Sequence, residues 1–96
     1  MKYYTYAELT ASATARRLGI PNIPSWRERE NLRLLVEEVL DPLREAWGEP
    51  IIVTSGYRSK KLNEAVGGAR NSQHVTGMAA DIRTLSDTLL DRKSVV

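Results

Sequence analysis

The sequence predicts an α+β protein in which N-terminal helices pack on a small sheet. Three observations carry that expectation. Apolar residues between 25 and 47 recur at three- and four-residue steps, as on one face of a helix. The apolar runs after Pro50 are instead short and bounded by Gly, Pro and polar residues, as in buried strands. A length of 96 residues limits the chain to one domain with a single modest core. Helices first, then alternating strands and helices, is the order of an α+β unit.

The elements follow in turn. "TYAE" at 5–8 has the spacing of a capping box, so a short helix starts there. A second short helix over 12–18 ends at Gly19, and the prolines of "GIPNIP" force an irregular connection. "SWRE" at 25–28 repeats the capping-box spacing and opens the longest helix, with Leu32, Leu35, Val36, Val39, Leu40, Leu43, Ala46 and Trp47 as its core stripe. Pro42 interrupts its hydrogen-bond ladder and is a place for a kink, and Gly48 and Pro50 end it. "IIVT" at 51–54 is a strand, and Gly56 begins the turn to a helix over 59–66 that Gly67 and Gly68 stop. "GMAADI" at 77–82 reads as a second strand, and Ser86 as the cap of a last helix over 86–92. Two strands make a marginal sheet, so either another segment pairs with them or the domain is incomplete.

Composition excludes more than it assigns. The apolar fraction of 42% and charged fraction of 27% are those of a folded, water-soluble chain. No apolar run reaches the ~20 residues of a membrane span, and "MKYYTYAEL" is too polar for a signal peptide. The expected location is therefore cytoplasmic, or phage- or prophage-encoded with release by another route. The absence of cysteine excludes disulfides and thiolate metal sites. Fourteen Lys and Arg against 12 Asp and Glu give +2, too little for a dedicated nucleic-acid binder, and "RSKK" at 58–61 reads as a solvated face. No nucleic-acid partner is expected.

The chemistry concentrates in "NSQHVTGMAADI" at 71–82, which holds the one histidine of the chain. If 77–82 is a strand, Gly77, Ala79 and Asp81 share one face while Met78, Ala80 and Ile82 pack into the core on the other. Small residues beside Asp81 leave room for an ion or substrate, and His74 lies in a polar loop from which it can fold back. Imidazole nitrogen and carboxylate oxygen are both good zinc donors, but a catalytic zinc takes three protein ligands. From spacing alone, a hydrogen-bonded His–Asp pair is the commoner arrangement.

"SQHVTGMAAD" at 72–81 resembles the Ser-x-His-x-x-Gly-x-Ala-x-Asp signature of the zinc D-alanyl-D-alanine carboxypeptidases and related L-alanyl-D-glutamate endopeptidases, which share the hedgehog/D,D-peptidase fold. "VTSGYRS" at 53–59 resembles the strand-and-turn segment of that family, and "LNEAVGGARNSQH" the stretch joining the two motifs. Upstream, "YAELTASATARRLGIPNIP" and "NLRLLVEEVLDPLREAWGEPI" are similar to the helical region of its small phage- and prophage-associated branch. The resemblance implies one zinc ion held by His74 and Asp81, and peptidoglycan stem peptides or crosslinks as substrate. It implies that Arg58 faces the substrate, binding a peptide carboxylate or stabilising the oxyanion in a role that suits a planar guanidinium. Ser72 and Gln73 are expected beside the ligands or the substrate, and Tyr57 reads equally as packing.

The resemblance also implies a third ligand, a histidine well downstream of the aspartate, near a glutamate base. "RTLSDTLLDRKSVV" offers neither, and Asp87, Asp91 and Glu64 match no family ligand. Truncation, supplementation by a neighbouring chain, and a non-catalytic cell-wall or protein-binding module with a degenerate site all account for this. Truncation is the favoured expectation, with C-terminal strands missing and "DRKSVV" reading as an ending. A strand edge left unpaired would then invite a second copy of the chain.

Overall fold

The computed structural model describes residues 1–85 and the short strand at 94–95. Two short helices come first, α1 (Tyr6–Thr10) and α2 (Ala13–Leu18), each capped by a hydroxyl. Thr5 accepts from the Glu8 amide at 3.2 Å and Ser12 from the Ala15 amide at 3.1 Å, satisfying donors that a helix start leaves free. The capping box expected at "SWRE" is complete: Ser25 accepts from the Glu28 amide, and the Glu28 carboxylate accepts from the Ser25 amide.

That box opens α3 (Trp26–Leu35), but the long helix does not run on evenly. Residues Val36–Leu40 form a wide π turn, in which the Asp41 amide reaches the Val36 carbonyl five residues back, and α4 (Asp41–Trp47) follows. Pro42 sits in the first turn of α4, where its missing N–H costs little. The proline thus produces a widened turn ahead of itself, a recognised cause of local helix distortion. One extra residue in a turn rotates everything after it by roughly 100°. Leu32, Leu35, Val36 and Leu40 are buried as expected and Leu43 partly so, whereas Val39, Ala46 and Trp47 are exposed. A single helical period extrapolated through 47 misplaces them for that reason.

Past α4 comes β1 (Ile51–Ser55), then α5 (Lys60–Ala65), a 3-10 turn (Gln73–Thr76), β2 (Asp81–Thr84) and β3 (Ser94–Val95). The sheet is antiparallel, in the order β1-β2-β3. The expected strand over 77–82 begins only at Asp81. Gly77 has φ +80° and closes the 3-10 turn, and the Met78 amide is spent on the Gln73 carbonyl at 3.0 Å, so neither joins a ladder. The expected alternation of faces fails with it. Met78 is 51% exposed, and Ala79 is buried along with Ala80. Ile82, inside the actual strand, does enter the core.

"DRKSVV" was expected as an ending without strand character, yet Ser94 and Val95 pair with Ile82 and Asp81. That stretch of the β2 edge is paired from within the chain. The expected helix over 86–92 lies outside the described residues. No described helix is long and apolar enough to cross a membrane.

The core is one cluster: Tyr4, Leu9, Leu32, Leu35, Val36, Leu40, Ile51, Tyr57, Ala80 and Ile82. Full burial of a leucine contributes about 1.5–3 kcal/mol, so Leu9, Leu32 and Leu40 tie the N-terminal helices to the sheet. Polar contacts complete the tie. The buried Asp41 carboxylate accepts from the Lys2 amide at 2.8 Å and the Tyr3 amide at 3.2 Å, and the Tyr4 hydroxyl donates to the Ile51 carbonyl at 2.8 Å.

Candidate metal centre and substrate cleft

The site forms where the turn after β1 meets the 3-10 turn and the start of β2. Its position is fixed by backbone contacts. The Tyr57 amide donates to the Leu9 carbonyl at 2.8 Å, bringing the turn against α1, and the Arg58 amide donates to the His74 carbonyl at 3.0 Å. Gly56 is required by this approach: a Cβ there would stand 2.2 Å from the Leu9 carbonyl oxygen. Asn22 locks the same turn from the side. Its amide donates to the Thr10 and Tyr57 carbonyls at 2.8 and 2.9 Å, and its oxygen accepts from the Ser59 amide at 2.8 Å.

The 3-10 turn is held as firmly. Ser72 caps it, its hydroxyl accepting from the His74 amide at 3.2 Å, and α3 supports it from behind. Asn31 donates to the Thr76 carbonyl at 2.9 Å, and a Cβ at Gly77 would fall 2.7 Å from the Glu28 carbonyl oxygen. His74 is buried as a result, with Nδ1 at 2.6 Å from the Gly56 carbonyl oxygen. A carbonyl only accepts, so Nδ1 carries a proton, and Nε2 is the nitrogen left free on the other side of the ring.

That nitrogen points at Asp81. Nε2 lies 3.6 Å from Asp81 Oδ1, too far for a hydrogen bond. Two ligands each ~2.1 Å from a tetrahedral ion stand about 3.4 Å apart, so this separation is compatible with a shared metal. A backbone carbonyl on Nδ1, as Gly56 supplies here, is a usual partner of a ligating histidine. Asp81 comes to this place by a β-bulge. β1 pairs Val53 with Ile82 and then Ser55, not Thr54, with Asp81, and the Thr54 hydroxyl donates to the Asp81 carbonyl at 3.2 Å. Bulges next to sites commonly re-aim a side chain in this way. Among the described residues, no group of three or more His, Cys, Asp and Glu side chains is close enough to hold a metal.

Beside the pair opens a cleft of about 350 Å³ lined by Thr54, Ser55, Tyr57, Arg58 and Asp81, with Ala11, Ser12, Ala13 and Thr14 as its far wall and Leu62 and Val66 as its floor. Arg58 and Asp81 thus meet in one cleft, with His74 behind Asp81. Ser72 and Gln73 do not line it: Ser72 is occupied with the cap of the His74 turn, and Gln73 is exposed with its carbonyl taken by Met78 and Thr76. Glu64 lines a different cleft, with Lys60, Asn63, Gly68, Arg70 and Val75, while Asp87 and Asp91 lie outside the described residues. Tyr57 packs in the core. Burial, and after it the Glu28 carboxylate, pushes its phenol up to about 12, so it stays protonated at neutral pH.

Sequence reasoning missed Asn22, the bulge at Thr54 and the α1–α2 connection that walls the cleft. Nothing local marks them, since each acts on residues far away in the chain. The Gly56 carbonyl was equally invisible, being a backbone group.

A zinc D-Ala-D-Ala carboxypeptidase of Streptomyces albus G is 35% identical over 91 residues, covering 82% of this chain and 30% of the relative. The chain therefore spans less than a third of that protein's length. The profile of the family described as Peptidase M15 matches residues 2–92, nearly the whole sequence. With that match, the chain belongs to the peptidase M15 family.

Proposed function

We propose that this chain carries the metal- and substrate-binding part of a zinc-dependent metallopeptidase of the hedgehog/D,D-peptidase fold, acting on peptidoglycan stem peptides or crosslinks. His74 and Asp81 are two of the zinc ligands, and Arg58 receives a carboxylate of the peptide. The observation that carries the reading is the 3.6 Å between His74 Nε2 and Asp81 Oδ1, with Nδ1 already engaged by the Gly56 carbonyl. An imidazole so tied has its free nitrogen oriented without further cost.

The residues divide the work by chemistry. His74 is a nitrogen donor held in register by the Ser72 cap and the Arg58 amide. Asp81, its side chain 25% exposed, brings negative charge to the mouth of the cleft. Arg58 stands across from it as the cation, so a peptide lying between them has its carboxylate drawn to one end and its scissile carbonyl left at the other. Tyr57 and Leu62 supply apolar surface that excludes water beneath the peptide. Zinc, when bound, supplies Lewis acidity, polarising a carbonyl and lowering the pKa of water toward ~7.

Zinc titration at pH 7 by calorimetry tests the ligand assignment. Saturable binding at micromolar affinity or tighter is expected, weakened at least about tenfold in His74→Ala and in Asp81→Ala. No saturable binding by the unaltered chain, or binding by both variants as tight as that of the unaltered chain, refutes it. Hydrolysis of purified muropeptides then distinguishes a peptidase from a module that holds the peptide without cutting it.

A further inference from the structure

A second groove adjoins the cleft, and the chain builds it from local pieces. Ala11 and Ser12, both extended, join α1 to α2, and Ser12 caps α2 by accepting from the Ala15 amide. At the far end of α2, Gly19 reverses the chain with φ +69°, and the Ile20 amide donates to the Ala15 carbonyl at 2.9 Å. Asn22 then closes the loop by donating to the Thr10 carbonyl. The space left between these segments is about 480 Å³, larger than the cleft.

Ala11 and Ser12 line both spaces and so form the ridge between them. The junction lies at the Arg58 end. Asn22, which lines the groove, donates to the Tyr57 carbonyl and accepts from the Ser59 amide, on either side of Arg58. Ala11, Ala15, Ile20 and Pro21 give the groove an aliphatic lining, and Arg16 is its one charged residue. Arg16 is exposed and pairs with no carboxylate among the described residues. None of the described residues that line the groove is aromatic, so a sugar ring has nothing to stack on. Aliphatic walls with a lone guanidinium suit a short peptide that ends in a carboxylate.

We propose that this groove is a second subsite of the cleft, which receives the second arm of a crosslinked peptide and pairs that arm's carboxylate with Arg16. A linear peptide whose terminal carboxylate is held by Arg58 ends there and has nothing to place beyond it. A crosslinked peptide has two arms, each able to end in a carboxylate, and two guanidiniums stand in adjoining spaces to meet them. The inference rests on the reading of Arg58 as a carboxylate receptor, and it selects crosslinks over single stem peptides as the substrate class. An exposed ion pair contributes little, so most of the gain comes from covering the aliphatic wall with an arm already tethered to the first.

Calorimetry on the whole chain tests this with three synthetic peptides: a branched one with two free D-alanine termini, the same peptide with one terminus amidated, and a single arm. The branched peptide is expected to bind about tenfold tighter than the single arm. Arg16→Ala is expected to weaken it about threefold, amidation of one terminus to do the same, and the two losses not to add. The single arm should bind Arg16→Ala as it binds the unaltered chain. In ¹H–¹⁵N NMR spectra, the Arg16 and Ile20 amides should move with the branched peptide and stay still with the single arm. A branched peptide no more than about twofold tighter, the statistical advantage of two equivalent arms, overturns the subsite, as do groove amides that ignore it. Undiminished affinity of Arg16→Ala for the branched peptide overturns the ion pair. Equal affinity of the unaltered chain and Arg58→Ala for the single arm overturns the carboxylate reading of Arg58 instead, and the groove amides still decide the subsite.

Discussion

The two donors of the candidate metal centre are held in opposite ways. His74 is engaged on every side but one: its amide by Ser72, its carbonyl by Arg58, its Nδ1 by the Gly56 carbonyl, its turn by Asn31. Asp81 opens a strand opposite a bulge, is held by ladder contacts and the Thr54 hydroxyl, and keeps its carboxylate partly in solvent. One ligand is placed by a web of turns and the other by strand register. Substitutions around His74 therefore act first on stability, whereas those around Asp81 act mainly on affinity.

The strongest test of that contrast is Gly56→Ala. The new methyl meets the Leu9 carbonyl, the same oxygen that accepts the Tyr57 amide, and backbone rather than a flexible tip must give way. A loss of about 3 kcal/mol or more is expected in urea unfolding, with zinc affinity lost alongside. Near-normal stability would mean that the turn is not pinned to α1. Asn22→Ala comes next. It strips partners from the Thr10 and Tyr57 carbonyls and the Ser59 amide, for an expected cost of about 2–3 kcal/mol by the same measurement.

Alkaline pH probes the packed side through Tyr57. Its folded phenol is pushed up to about 12 from an ordinary 10.0, so the unfolded chain loses its proton first. The folded state then binds more protons, and stability falls as pH rises from about 10 toward 12, by roughly 2 kcal/mol for this group. Melting curves from pH 8 to 11.5 should show this decline lessened in Tyr57→Phe. Part of it should persist, because burial raises Tyr4 as well. The smallest effect on stability is expected on the Asp81 side. Thr54→Val removes one half-exposed hydrogen bond for about 1 kcal/mol or less, yet should weaken zinc several-fold by loosening the bulge. Equal and large stability losses at Gly56 and Thr54 would erase the distinction.

How much of this was legible beforehand follows from the range of each interaction. Helix starts at Thr5, Ser12, Ser25 and Ser59 were readable because a cap reaches only three residues along the chain. The segment 77–80 was misread as strand because Gly77 adopts φ +80° within a turn that the apolar pattern does not register. The core stripe was correct through Val36 and drifted within the π turn, where Val39 is exposed although Leu40 is buried. For the site, the resemblance of two motifs named His74, Asp81 and Arg58, and placed Ser72 and Gln73 beside the ligands or the substrate; Ser72 caps the turn that carries His74, and Gln73 lines no part of the cleft.

The sequence by itself determined the caps, the α+β order, the residue types proposed to bind metal and the family to which the chain belongs. These are local patterns or ordered motifs, preserved whatever the chain does in space. Only the tertiary structure decided which imidazole nitrogen is free, how far it stands from Asp81, and what holds Arg58. Those depend on the Gly56 carbonyl, the bulge at Thr54 and Asn22, groups brought to their partners across 18 to 37 positions of chain by packing against Leu9 and α3. A carbonyl or an extra strand residue has no signature in one dimension, because its meaning is the partner it meets.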